Sequence, residues 1–170
     1  MRPQDEKLDT RNDQRNGHGF SLLELLIVVA IILIIASIAI PNFIRSKMRA
    51  NEAATVQNLR NITTAEVIYS TTYSIGYSPT LAALGGNSVT VDATAAGLID
   101  EVLASGVKSG YTYSYSVIAS DPQGHVTAYN ITADPVVVGS SGINHFYTDQ
   151  SAVIRENGSG TASSSDTPIN

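Results

Sequence analysis

The chain has 170 residues, a formal net charge of −5 and no cysteine. This length leaves room for one domain beyond a membrane anchor, and the lack of cysteine excludes a fold stapled by disulfides. From residue 20 onward, six basic and eleven acidic side chains make the protein mildly acidic. That balance argues against electrostatic binding of nucleic acid, so we expect no nucleic-acid partner.

The first 19 residues form a polar segment with four basic and four acidic side chains. A secretory signal would instead combine a basic start, a short apolar core and small residues at its cleavage site. The segment therefore does not fit an ordinary secretory signal.

An apolar run follows over residues 20–40, and it contains one acid, Glu24. The run is long enough to cross a membrane, because a helix of about 20 residues covers the roughly 30 Å hydrocarbon core. A charge inside such a helix costs on the order of 2.5–3.5 kcal/mol near the bilayer centre. Glu24 either snorkels to the headgroups or has a partner, and that partner has to come from another molecule because the run holds no basic residue.

The residues around this acid resemble a family signature. Residues 18–25 have the sequence HGFSLLEL and precede the apolar run, an arrangement similar to the class III signal of type IV prepilins and type II secretion pseudopilins. The resemblance implies that residues 1–19 are a leader in the cytoplasm. It also implies that a prepilin peptidase/N-methyltransferase cleaves between Gly19 and Phe20 and methylates the new amino terminus of Phe20. By the same resemblance, Glu24 meets the charged amine of Phe20 on a neighbouring subunit during assembly, since a paired buried charge is tolerated where a lone one is not.

The helix is predicted to continue over residues 41–74 as an amphipathic segment. No Gly or Pro occurs from 43 to 72, and apolar residues recur at spacings near three and four. The predicted stripe consists of Ile44, Met48, Val56, Leu59, Ile62 and Val67. Pro41 removes a backbone donor inside this helix, so we predict a kink there.

Residues 75–110 are predicted to form a connecting loop with short helices. Gly and Pro interrupt this stretch, while residues 81–84 suit one helical turn and residues 94–104 suit a short amphipathic helix.

An antiparallel sheet of about four strands is predicted over residues 111–156. Alternating residues at 111–118 and 126–133 flank the turn sequence Ser-Asp-Pro-Gln-Gly, and a second hairpin is predicted from 145–148 to 152–155. The Gly- and Ser-rich residues 157–170 are predicted to be a flexible tail. The expected fold class is α+β, a long N-terminal helix packed against a small sheet, as in pilins.

Catalytic chemistry has no sequence signal here. The histidines are far apart and no paired-carboxylate or metal-ligand spacing occurs, so we expect no catalytic residue, cofactor or metal. Calcium is an open alternative, since major pseudopilins bind it. The acids in question are Asp121, Asp134, Asp149, Glu156 and Asp166, for which solvated turns are the simpler interpretation.

Three functional hypotheses follow. The preferred one is a structural subunit of a type IV pilus, stored as a single-pass protein of the inner membrane and exported into a homopolymeric surface filament for adhesion or motility. The first alternative is a major pseudopilin of a type II secretion system, which would be periplasmic. The second is a monomeric signal-anchored membrane protein that binds a ligand. The family resemblance implies as partners the prepilin peptidase, an assembly platform with its ATPase, and inner-membrane lipid.

Overall fold

The computed structural model describes residues 20–86 and 91–169. The predicted leader, with Gly19, lies outside the described residues. The chain divides into two compact units with the boundary between Ala39 and Ile40. The helices are α1 (Leu22–Tyr73), α2 (Leu81–Leu84) and α3 (Glu101–Ala104). The strands are β1 (Val107–Lys108), β2 (Tyr111–Ser120), β3 (Val126–Pro135), β4 (His145–Asp149), β5 (Arg155–Asn157) and β6 (Thr167–Pro168).

The first unit contains the N-terminal part of α1, which is apolar on all sides. Its large apolar side chains are all exposed in the single chain, from 45% at Val29 to 83% at Leu22. The segment has a mean hydropathy of 3.1 over an 18-residue window, and by length and composition it can cross a membrane. A helix that is apolar all round needs either lipid or other helices around it.

The second unit begins with the rest of α1, which is assigned as helix across Pro41 without interruption. The kink predicted at Pro41 stays a prediction. The buried face of this part of the helix differs from the predicted stripe: Met48, Leu59 and Ile62 are buried, but Ile44 and Val67 are 39% and 55% exposed. The face also takes up polar residues, namely Thr55, Asn58, Thr63 and Glu66.

The connection between α1 and the sheet contains less helix than predicted. α2 forms at residues 81–84 as expected. The helix predicted over residues 94–104 is wrong in extent, because α3 begins only at Glu101. Two local features explain the late start: Gly97 has a left-handed φ of 62°, and the Asp100 carboxylate caps the helix by accepting the Leu103 N–H at 3.1 Å.

The sheet has six strands in sequential order, and each pairs antiparallel with the next. The α+β class is confirmed. The expected number of about four strands is too low, because a two-residue strand pairs at each edge of the sheet. The hairpin of β2 and β3 is the longest pairing, with Tyr113 opposite Ala133. β5 starts at Arg155 rather than at 152, where Ala152 has a left-handed φ of 60°.

The predicted flexible tail contains a paired strand. β6 pairs with β5, Ala162 is 4% exposed, and the Asp166 carboxylate accepts the Asn157 side-chain amide at 3.0 Å. The small number of apolar residues in this segment predicted no regular structure. Hydrogen bonds to β5 and its neighbours nevertheless hold it at the edge of the sheet.

The core of the second unit lies between α1 and the sheet. Large side chains with at most 2% exposure come from α1, from the short helices α2 and α3, and from the sheet: Leu59, Ile62, Tyr69, Leu84, Leu103, Tyr111, Tyr129, Ile131 and Phe146. The tyrosines supply much of this volume, and several also reach polar partners with their hydroxyl groups.

Candidate assembly and processing site

The start of α1 is capped by a serine. Phe20 and Ser21 are not helical, and α1 begins at Leu22. The Ser21 hydroxyl oxygen accepts a hydrogen bond from the Glu24 N–H at 3.3 Å, and the Ser21 carbonyl accepts from the Leu25 N–H at 3.2 Å. Ser21 thus satisfies one of the N–H groups that the first turn of a helix leaves without a partner.

Glu24 occupies the third helical position, so residues 21–24 form the Ser-x-x-Glu sequence of a capping box. Only the serine half of the box is present in the structure. No described residue of the chain pairs with the Glu24 carboxylate, whose side chain belongs to an exposed stretch. The carboxylate is therefore available to a group on another molecule.

Two features of the surroundings determine what that group can be. The neighbours of Glu24 on the helix are apolar and exposed, Leu23 at 65% and Leu25 at 60%. The helix N-terminus has a partial positive charge that stabilises a carboxylate in the first turn. A cation that meets Glu24 in apolar surroundings would neutralise it, whereas a second acid would be repelled.

Of the residues singled out from sequence, Phe20 and Glu24 lie within one turn of each other at the start of α1. Phe20 is 81% exposed and lies outside the helix. Pro41 lies in the second unit, and Gly19 falls outside the described residues. Sequence reasoning missed the cap made by Ser21, although the Ser-x-x-Glu spacing was a sufficient signal for it.

Polar residues on the buried face of α1 hold the loops of the second unit, and sequence reasoning missed these as well. Glu66 is fully buried and accepts both the N–H and the hydroxyl of Ser78, at 2.8 Å and 2.6 Å. Burial raises the pKa of the Glu66 carboxyl above its ordinary value, and the bonds from Ser78 partly oppose this. Asn58 donates to the Tyr113 hydroxyl at 2.9 Å. In the sequence, the only local signal for such contacts is a polar residue at a position where helical spacing would place an apolar one.

Three of the acids considered as calcium ligands, Asp121, Asp149 and Asp166, accept hydrogen bonds in turns, whereas Asp134 lies in β3 and Glu156 in β5. Asp121 accepts the N–H groups of Gln123 and His125, and Asp149 accepts that of Ser151. Within residues 20–86 and 91–169, no three His, Cys, Asp or Glu side chains are grouped as they would be around a metal ion.

Comparisons with known proteins found one family model and two relatives that match part of the chain. Residues 14–40 match the family model described as the prokaryotic N-terminal methylation motif. The chain is 49% identical over 57 residues to the type IV major pilin protein PilA of Myxococcus xanthus. It is 42% identical over 55 residues to the type IV wide pilus major component PilA4 of Thermus thermophilus.

These matches cover 34% and 32% of this chain. They span 26% of the Myxococcus protein and 42% of the Thermus protein, so the chain aligns with less than half of either relative. No solved structure matches the chain significantly.

Proposed function

We propose that this chain, which matches the prokaryotic N-terminal methylation motif over residues 14–40, is a structural subunit of a type IV pilus. One observation supports this most directly: Glu24 presents a carboxylate that no described residue pairs with, on an exposed apolar helix within a segment that matches the N-terminal methylation motif. Both relatives have names that denote pilus components, which favours the pilus over the secretion pseudopilus.

Processing is the first step of the proposal. The prepilin peptidase/N-methyltransferase cleaves between Gly19 and Phe20 and methylates the Phe20 amine. The local structure suits cleavage, because Phe20 and Ser21 lie outside the helix and the Phe20 N–H is not part of a helical hydrogen-bond ladder. The cap at Ser21 lets the helix begin directly after the new terminus.

Storage in the inner membrane precedes assembly. The apolar part of α1 spans the bilayer, and the second unit lies on the outer side. In this state Glu24 is close to one end of the apolar run, where a charged side chain reaches the headgroups at a lower cost than at the bilayer centre.

Assembly pairs Glu24 with the Phe20 amine of an adjacent copy. A new amino terminus is positively charged and lies at the positive end of its own helix, which is an unfavourable position for a cation. A carboxylate from the neighbouring copy relieves this while neutralising its own charge. Repetition of one such head-to-tail contact yields an open helical filament, with an assembly platform and its ATPase driving extraction from the membrane.

Filaments sheared from the cell surface test the proposal. We expect this polypeptide to be their main component, and N-terminal sequencing with mass spectrometry to identify N-methylated Phe20 as its first residue. Filaments that lack the chain, or a surface protein that still starts at Met1, would refute the function.

A further inference from the structure

The connection between β3 and β4 exposes apolar side chains to solvent. We call residues 136–144 the valine loop, because Val136, Val137 and Val138 are 55%, 56% and 64% exposed and Ile143 is 47% exposed. Single exposed apolar residues are common, but a group of four on one loop indicates a surface that is covered in some state of the protein.

Hydrogen bonds hold this loop in one conformation. The Gly139 N–H donates to the Gly142 carbonyl at 2.8 Å, and Asn51 of α1 donates to the Ser141 carbonyl at 2.7 Å. The Glu52 carboxylate accepts the N–H groups of Ile143 and Asn144, at 2.8 Å and 3.1 Å. The valines are thus displayed by a loop fixed to α1 and not by a free end.

The valine loop lies close to the first residues of the second unit, which begins at Ile40. Ile143 shares a groove with Arg45 and Met48, and Arg45 is only five residues after Ile40, about 8 Å along a helix. The start of β2 is at this end too, since the Tyr111 hydroxyl donates to the Asn144 carbonyl at 2.8 Å. Ile118 lies seven residues further along β2, about 23 Å away at the usual rise of a strand.

A basic cluster accompanies the exposed valines. Arg45, Lys47 and Arg49 are exposed, and among the described residues no carboxylate forms an ion pair with any of them. The next acid on α1 is Glu52, and its carboxylate is engaged by the valine loop. The surface therefore combines apolar side chains with three basic side chains against one carboxylate, that of Glu52, which lines the same groove as Arg45 and Arg49.

We propose that this surface rests on the membrane that residues 20–40 cross, with the valine loop in the interfacial region and the basic cluster on anionic phospholipid headgroups. The inference rests on the membrane placement of the apolar helix in the proposed function. Lipid is the occupant that fits both halves of the surface, because the interfacial layer accepts apolar side chains and presents phosphates beside them. The chain leaves the apolar span at Ile40, so the basic cluster stays within a few residues of the headgroups. Each basic residue near an anionic surface strengthens binding by about fivefold.

Site-specific quenching tests this contact on the full chain, which has no cysteine of its own. Three single-cysteine variants, V137C, I118C and A30C, are labelled with one fluorophore. Each is reconstituted at one chain per nanodisc, and for comparison at two, in phosphatidylcholine with or without phosphatidylglycerol. The lipids carry a quencher near the headgroup for V137C and I118C, and in the middle of the acyl chain for A30C, which lies at the centre of the span. We expect V137C to be quenched strongly in the anionic discs, and more weakly in the zwitterionic discs or at high salt. The label at I118C should not be quenched in either kind of disc, because Ile118 is 60% exposed but lies far from the valine loop.

Charge variants supply the matched control. R45Q combined with R49Q should reduce the difference in V137C quenching between anionic and zwitterionic discs, whereas R60Q, which removes an exposed charge further along α1, should leave it unchanged.

Three results would overturn the inference. If A30C is quenched but V137C behaves like I118C, the docking is wrong while the membrane placement stands. If A30C is not quenched, the membrane placement fails and the docking fails with it. If the V137C signal responds to a second chain in the disc and not to the quencher lipid, a neighbouring copy covers the valine loop instead.

Discussion

The Glu66 carboxylate receives two hydrogen bonds from one residue, the N–H and the hydroxyl of Ser78. The contact joins α1 to the loop that follows it. Tyr115 donates to the Ser78 carbonyl at 2.8 Å, so the sheet is tied to the same point. A fully buried acid thus connects the helix, the loop and the sheet in one polar network.

Removal of this acid should destabilise the second unit. Glu66→Ala leaves the buried Ser78 N–H without an acceptor, which costs about 1–3 kcal/mol. Denaturant unfolding of the full chain in detergent micelles, followed through the tyrosine signal, measures the loss. Glu66→Gln keeps an acceptor for this N–H and should lose less stability than the alanine variant; equal losses would contradict the role of the hydrogen bonds.

The raised pKa of Glu66 also predicts that the difference in stability between the native chain and Glu66→Gln depends on pH. Because the pKa of Glu66 is raised in the folded state above its ordinary value of 4.5, its contribution to stability is fully present below that pH and is lost as pH rises through the folded pKa. Glu66→Gln has no such titration, so its stability relative to the native chain should increase from pH 4.5 upward. A difference that is constant with pH would show that the carboxyl does not titrate abnormally.

Glu24 should be dispensable for membrane insertion but required for filament growth. Glu24→Val removes the charge, so the protein should still insert, be cleaved and be methylated, while surface filaments are lost or sharply reduced. Electron microscopy and the yield of sheared filaments measure this. Glu101→Gln, which removes an exposed acid of the second unit, is the control and should assemble normally. Normal filaments from Glu24→Val would remove the role assigned to Glu24.

A bulky residue at Gly19 should block processing. Gly19→Phe places a side chain next to the cleaved bond, so we expect only the longer precursor on a gel and no methylated Phe20 by mass spectrometry. Gly160→Val is the matched control, since a Cβ at Gly160 meets no atom within 4 Å. Efficient cleavage of Gly19→Phe would contradict the assigned site.

Pro41 should loosen α1 locally. Proline has no N–H to donate to the Ser37 carbonyl one turn earlier, and Pro41→Ala would restore that donor. Hydrogen exchange in micelles should therefore show greater protection of residues 38–44 in the alanine variant. Identical protection in both proteins would mean that Pro41 does not weaken the helix.

The sequence alone was sufficient for features that depend on neighbouring residues. The apolar run, the acid at Glu24 and the hairpin turn before His125 each lie within a short stretch, so their periodicity and turn chemistry were visible without the fold. The number of strands was underestimated because β1 and β6 have two residues each and depend on pairing with a neighbour.

Tertiary structure decided which residues of α1 meet the sheet. Helical spacing placed Val67 in the core, whereas the fold buries Glu66 beside it, since the loop that carries Ser78 packs there and donates to its carboxylate. The valine loop likewise takes its place through contacts with distant residues, among them Asn51 and Glu52, which are about 90 residues away in sequence. Local patterning fixes which segments are helix, strand or membrane span, because propensity and periodicity act over a few residues. The partners of buried polar groups depend on segments distant in the chain, and only packing brings those segments together.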